Sequence, residues 1–361
     1  MDAPKALPEA LPEALLGASP LQDLPFPEAP IVRPRGRDLP PGLRIPDFAR
    51  AFFVSPPKSL PKRGRRGPDR LRCFLAVPPP EALDGHPARG TFIVHPGRTE
   101  FIEKYFETIE DLAGRGFHVL ALDPRGQGLS TRLLPDPLKG FVHRYHDYAD
   151  DLGWVVAHVG EAVPHLLPRP HILLGHSMGG LAVLQAVLER RAEADLLVAS
   201  APMLGLWDIA TPVLKYAFRA ADRAGVGLRD LPFQRQERGI PIGFENNKLT
   251  SDPKRFAAWR DYALHAPEIR VAGPTFRWIA EGLRAMDRVN RQAAKLDIPT
   301  LLIAPGADPI VDPASIHEFA RRAGADVVTV RGARHEVFME RDVYRDAFWQ
   351  ALDAWLERQG V

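Results

Sequence analysis

His171 to Gly180 reads HILLGHSMGG, an apolar strand that stops abruptly in Gly175-His176-Ser177-Met178-Gly179 and runs on into a helix. A serine hydroxyl that attacks a carbonyl has to stand clear of the backbone, and a sharp strand-to-helix turn achieves this by holding the serine in a strained conformation. Glycines two before and two after it follow from the same geometry, because side chains there would collide across the turn. Gly180 to Leu188 has the composition of a buried helix. The N-terminus of that helix would aim its amide dipoles at the charge formed during attack. Ser177 is therefore the candidate nucleophile.

Outward from this turn, apolar runs alternate with amphipathic ones. Arg72 to Val77, Thr91 to His95, Phe117 to Asp123, Asp195 to Pro202, Pro299 to Gly306 and Asp326 to Val330 read as strands. Helices are expected at Glu100 to Ala113, Tyr145 to Val159, Ala314 to Ala323 and Asp342 to Arg358. Strand alternating with helix predicts a doubly wound, mostly parallel sheet covered on both faces. The rhythm breaks between about Met203 and Lys295, where the text is helical with scattered aromatics such as Trp207, Phe218 and Trp278. We read 203–295 as an inserted helical cap, and 46–202 with 296–361 as the core. Residues 1–45 repeat Leu-Pro-Glu-Ala units, and 18 of the 37 prolines precede residue 81. Proline fixes φ and removes a donor, so this stretch is expected to be an extended or disordered arm outside the core.

In such a sheet the partners of a serine sit at the carboxyl ends of later strands, in the order Ser, Asp, His. Asp308 follows the strand at Thr300 to Ala304, and His335 follows the one at Asp326 to Val330. A neutral imidazole oriented by a carboxylate would supply the base that the hydroxyl needs. Asp312 competes with Asp308 and is set aside because Asp308 comes first after the strand. His176 is read as a structural neighbour that points away from the site. The amide of Met178 is the expected first donor to the oxyanion. The second should come from His95-Pro96-Gly97-Arg98-Thr99-Glu100; Pro96 has no N–H, which leaves Arg98, with Gly97 as the alternative.

Bulk properties narrow the classes. With 361 residues, 45% of them hydrophobic, the chain can bury a sizeable core. The net charge of +2 and the absence of zinc-finger, Walker or dinucleotide fingerprints argue against nucleic acid, metal or nucleotide cofactors. The single cysteine, Cys73, excludes an internal disulfide and fits a reducing, cytoplasmic compartment, with Cys73 packed in a strand. The acidic, proline-broken N-terminus does not read as a secretory signal. The uncharged run around Ser177 contains two histidines and three glycines and is rejected as a membrane span. Lys58 to Arg72, KSLPKRGRRGPDRLR, carries seven basic residues and one acid. It reads either as a solvated loop or as a patch for anionic lipid headgroups at the inner membrane face, worth roughly 1 kcal/mol per basic residue.

From about Leu71 to its end the chain resembles the α/β-hydrolase branch that contains monoacylglycerol lipases and bacterial lysophospholipases, the serine aminopeptidase-like hydrolases. The stretches that carry the resemblance are GRTEFIEKYFETIEDLAGRGFHVLALDPRGQGLSTR, HDYADDL, GHSMGG, SAPMLGL and, within the expected cap, PEIRVAGPTFRW. The family pattern places a triad on Ser177, Asp308 and His335. His95-Pro96-Gly97 departs from the usual His-Gly, which leaves the second oxyanion donor open between Gly97 and Arg98. The resemblance implies a cofactor-free ester hydrolase acting on single-chain lipids, with a lysophospholipase as the first expectation. A monoacylglycerol lipase or broad esterase differs only in headgroup, and a peptidase of the same fold is a further reading. A catalytically silent binding module would have lost a triad member, and a scaffolding role for the proline-rich arm could coexist with catalysis.

Overall fold

The computed structural model describes residues 21–35, 44–57, 68–209, 211–231 and 243–361. Among them, eight strands form one sheet: β1 (Ala49–Val54), β2 (Leu71–Ala76), β3 (Thr91–His95), β4 (His118–Leu122), β5 (His171–His176), β6 (Leu196–Ser200), β7 (Thr300–Pro305) and β8 (Asp326–Val330). Their order is β1-β2-β4-β3-β5-β6-β7-β8. The first two pairings are antiparallel and the rest parallel. The chain leaves β3 for β4 on one side and returns to β5 on the other. Such a reversal opens a crevice at the carboxyl ends of the strands, and β5 ends there in His176.

The central strands are buried throughout, and apolar between their end residues, because both of their faces are covered. Ile172 and Leu174 of β5 join the core on one side and Leu173 the core on the other; in β3, Phe92 and Val94 are likewise separated from Ile93. The helices are α1 (Pro80–Leu83), α2 (Phe106–Ala113), α3 (His146–Ala162), α4 (Met178–Leu188), α5 (Pro212–Ala221), α6 (Pro253–His265), α7 (Phe276–Gln292), α8 (Pro313–Ala323) and α9 (Asp342–Arg358). One face of the sheet buries Phe106, Ile109 and Leu112 of α2 with Phe348, Leu352 and Trp355 of α9. The other carries Leu152 and Val155 of α3 with Leu181 and Leu184 of α4. Each such side chain contributes about 1.5–3 kcal/mol of burial. The helix expected from Glu100 begins instead as a 3₁₀ turn at Ile102–Tyr105, because the Ile102 N–H donates to Asp123 Oδ1 (3.0 Å).

Three expectations need correction. Part of the proline-rich arm lies in the core: Leu21, Leu24, Ala29 and Val32 are buried. Residues 27–29 lie extended along β1, with Ala29 N donating to Ala51 O and Phe53 N to Pro27 O. A proline costs nothing there, since Pro27 is used as an acceptor. The basic run also ends differently. Arg72 is buried on β2, donating to Glu103 and Asp123 at 2.7 Å, so it faces no lipid; residues 58–67 of the run lie outside the described residues. Finally, the described residues of 203–295 pack in two groups rather than as one lobe. On α6, Arg255 pairs with Glu107 and Asp342 and Tyr262 meets Phe101. In contrast, α5 and α7 lie against each other through Arg219–Asp287 and Phe218–Phe276.

Candidate active site

Ser177 joins β5 to α4 with φ +51° and ψ −111°, a conformation unfavourable for any residue with a Cβ. Its amide donates to Ser200 O (3.0 Å), and its carbonyl accepts from Leu181 N (3.1 Å), so sheet and helix both hold the turn. A Cβ on Gly175 would lie 2.5 Å from Gly179 O, and one on Gly179 would lie 2.1 Å from His95 O. Both contacts are with backbone, which cannot swing aside. Gly179→Ala is accordingly expected to lower stability by about 2–4 kcal/mol; a urea denaturation midpoint within error of the parent would contradict this close approach.

The structure brings Ser177, His335 and Asp308 together. His335 Nε2 lies 2.9 Å from Ser177 Oγ, and His335 Nδ1 lies 2.7 Å from Asp308 Oδ2. Because the carboxylate accepts, the imidazole proton sits on Nδ1 and leaves the Nε2 lone pair facing the hydroxyl. Asp308 follows β7 and is held by the amides of Ile310 (2.8 Å) and Val311 (3.1 Å), both donating to Oδ1. His335 follows β8 in a loop tied down by Arg334, which donates to the carbonyls of Asn247 and Thr250. Asp312 is occupied elsewhere: it caps α8, accepting from Ala314 N (2.9 Å). Together these side chains can pass the hydroxyl proton to the imidazole and stabilise the imidazolium that forms.

The loop after β3 carries Gly97 and Arg98, the two residues expected to offer the second oxyanion donor. The Gly97 amide donates to Glu100 Oε2 and is thereby committed. Gln127 pins the same loop, accepting from Thr99 N (2.6 Å) and donating to Gly97 O (2.9 Å). Arg98 and Met178 both line a cavity of about 330 Å³ together with Ser177. Leu214 and Phe218 of α5 and Trp278 and Ile279 of α7 contribute to its apolar wall, with Met203, Leu206 and Ile310. Trp278 is fixed by donating to Tyr148 Oη (3.2 Å), and Tyr145 Oη donates to Met178 O (2.7 Å).

His176 does not point away from the site: its ring lies 4.9 Å from that of His335. Burial pulls its pKa down to about 4, so at neutral pH it is uncharged and donates through Nδ1 to Ser200 O (3.2 Å). Behind it is a buried cluster that sequence reasoning missed. Lys104 Nζ bridges Glu100 (2.8 Å) and Glu336 (2.6 Å), and Tyr105 Oη donates to Glu100 (2.6 Å). Burial pushes the Glu100 carboxyl up, but Lys104, His176 and the two hydrogen bonds outweigh it and hold the group at about 2. Burial leaves Glu336 raised, with Lys104 offsetting part of the effect. Glu100, His176 and Glu336 are close enough to hold a metal, but the Lys104 ammonium already bridges the two carboxylates. The cluster's signal in the sequence was faint: a Glu and a Lys four apart in a helical run that carries other acids as well, and a Glu next to His335.

Known proteins support the reading of the fold. The family model described as serine aminopeptidase, S33, matches residues 86–342. Lysophospholipase L2 of Escherichia coli (strain K12) is 33% identical over 285 residues, spanning 74% of this chain and 80% of that protein. The monoacylglycerol lipase of Mycolicibacterium smegmatis is 24% identical over 258 residues, spanning 70% and 83%. Among solved structures, a soluble variant of monoglyceride lipase from Saccharomyces cerevisiae, in complex with a substrate analogue, superposes with a TM-score of 0.64. It covers 91% of this chain and 99% of its own at 19% identity, a likeness in fold. Among the described residues no helix is long and apolar enough to cross a membrane.

Proposed function

The chain belongs to the serine aminopeptidase S33 family of hydrolases and has the α/β-hydrolase fold, and from that premise we propose that it cleaves the acyl ester of single-chain lipids, as a lysophospholipase. The observation that carries the reading is the opening of Ser177, in hydrogen-bond reach of His335, onto a cavity walled by Leu214, Phe218, Trp278 and Ile279. Apolar walls suit one acyl chain, and the polar headgroup stays at the mouth. On this reading α5 and α7 are the working part of the cap.

Ser177 Oγ attacks the ester carbonyl carbon while its proton passes to His335 Nε2. The charge on the former carbonyl oxygen is met by the amides of Met178 and Arg98. The carbon–oxygen bond to glycerol breaks as His335 returns the proton to the departing oxygen, leaving an acyl-serine. Water, deprotonated by His335, then releases the fatty acid and restores Ser177. Asp308 orients the imidazole throughout and stabilises its charged form.

A hydrolysis panel tests the reading. Fatty acid release is expected from lysophosphatidylcholine, lysophosphatidylethanolamine and monoacylglycerol, with little from a diacyl phospholipid, whose two chains would have to share a cavity of about 330 Å³. Cleavage of short acyl esters with none of the single-chain lipids would leave an esterase and remove the lipid assignment. The monoacylglycerol lipase reading is favoured by the largely apolar cavity wall and by the M. smegmatis likeness; it predicts faster turnover of the neutral lipid in the same panel.

A further inference from the structure

We infer that the Arg98 guanidinium binds the phosphodiester of a single-chain phospholipid and so sets the enzyme's preference for that substrate over monoacylglycerol. The inference rests on the lipid-ester reading of Ser177, whose cavity Arg98 shares. A guanidinium carries five N–H donors and a charge that is costly to desolvate without a counter-ion. Three buried arginines have one: Arg72 meets Glu103 and Asp123, Arg125 meets Asp147 and Asp151, and Arg345 meets Glu107 and Asp111, while buried Arg132 donates to the carbonyls of Gly126, Gly128, Pro137 and Glu268. Arg98 forms no ion pair among the described residues. Among those residues it donates once, through Nη1 to Ala272 O (3.0 Å), and lies over the Trp278 ring at 5.7 Å. Those two contacts hold the side chain against the wall of the cavity and leave other donors free.

Burial lowers the Arg98 pKa to about 10, so the group is still a cation at neutral pH. Asp208 is the other charged residue lining the cavity, and it is exposed to solvent. A half-buried, unpaired cation on the wall that also carries the nucleophile matches a mono-anionic phosphodiester one glycerol away from the scissile ester. A neutral glycerol offers it only hydroxyl acceptors, which make weaker hydrogen bonds to a cation than a phosphate does.

The experiment compares kcat/KM for lysophosphatidylcholine and for monoacylglycerol of the same acyl chain, in the parent, Arg98→Gln and Arg98→Lys. The ratio of the two values is expected to fall by about ten- to a hundredfold in Arg98→Gln, the loss of charge-assisted hydrogen bonds to one phosphate. Arg98→Lys keeps the charge without the fork and should lie between. A ratio unchanged in Arg98→Gln, with both substrates slowed equally, would overturn the assignment. Should the variants fold poorly, the parent decides through competition: glycerophosphocholine is expected to inhibit monoacylglycerol hydrolysis at lower concentration than glycerol does, and equal inhibition overturns it. A parent that cleaves monoacylglycerol but no phospholipid refutes the role of Arg98 and leaves the esterase reading intact. A parent that cleaves neither, yet cleaves short acyl esters, refutes the lipid reading itself.

Discussion

Ser177→Ala is expected to abolish hydrolysis of both short acyl esters and single-chain lipids, by roughly 10⁴- to 10⁶-fold in kcat, because it removes the hydroxyl that is hydrogen-bonded to His335. The protein should remain folded. Alanine keeps the strained backbone, so the companion Ser177→Gly separates chemistry from strain. Both variants lose Oγ and are expected to be inactive, but glycine accepts φ +51° without penalty. Relief of about 1–3 kcal/mol, less the entropy that glycine loses on folding, should leave Ser177→Gly melting above Ser177→Ala. Parent-like activity in either variant would move the nucleophile elsewhere. Equal melting temperatures would mean that the strain at the elbow is no larger than the entropy that glycine loses on folding, about 1 kcal/mol.

The elbow was legible because its constraints are local: a strand, a turn that tolerates no side chain two residues either way, and a helix. The two-sided sheet was legible for a similar reason. When alternate residues of β3 and β5 enter different cores, the middle of the run becomes apolar at successive positions, and such runs stand out. Asp308 and His335 could be placed because strand ends converge on one edge of the sheet. What sequence could not supply was contact between distant stretches. The segment at 21–35 is proline-rich, yet Arg72 and Glu103 reach out to it: Arg72 Nη1 donates to Pro30 O and Glu103 accepts from Val32 N. Composition alone cannot show that an edge strand lies waiting 20 residues later. His176 was misjudged because period-two alternation fails where the strand bends into the elbow, which turns its ring back beside His335.

The buried cluster at Lys104 carries the largest expected effect on stability. Glu100, Lys104 and Glu336 are each about 95% or more removed from solvent, so the two carboxylates depend on one ammonium. Removing one member of such a group is costly because it leaves uncompensated charge behind. Lys104→Met, of similar length and apolar, is expected to lose about 3–5 kcal/mol at pH 7, with Lys104→Arg recovering part of it. The loss should shrink on acidification. In the parent, Glu100 is depressed to about 2, so its contribution is present above the ordinary carboxylate pKa of about 4.3 and disappears as pH falls toward 2. In Lys104→Met both carboxyls are raised by burial, and the folded state then binds more protons than the unfolded one. Stability of the variant therefore falls as pH rises through 4.3 and beyond. Urea denaturation midpoints for parent and variant should consequently be closer at pH 4.5 than at pH 7. A gap of the same size at both values would mean that the carboxylates do not depend on Lys104 for their charge. Because Glu100 also accepts from the Gly97 amide, the same substitution should loosen the loop that carries Arg98, and the loss of kcat should exceed what unfolding alone accounts for.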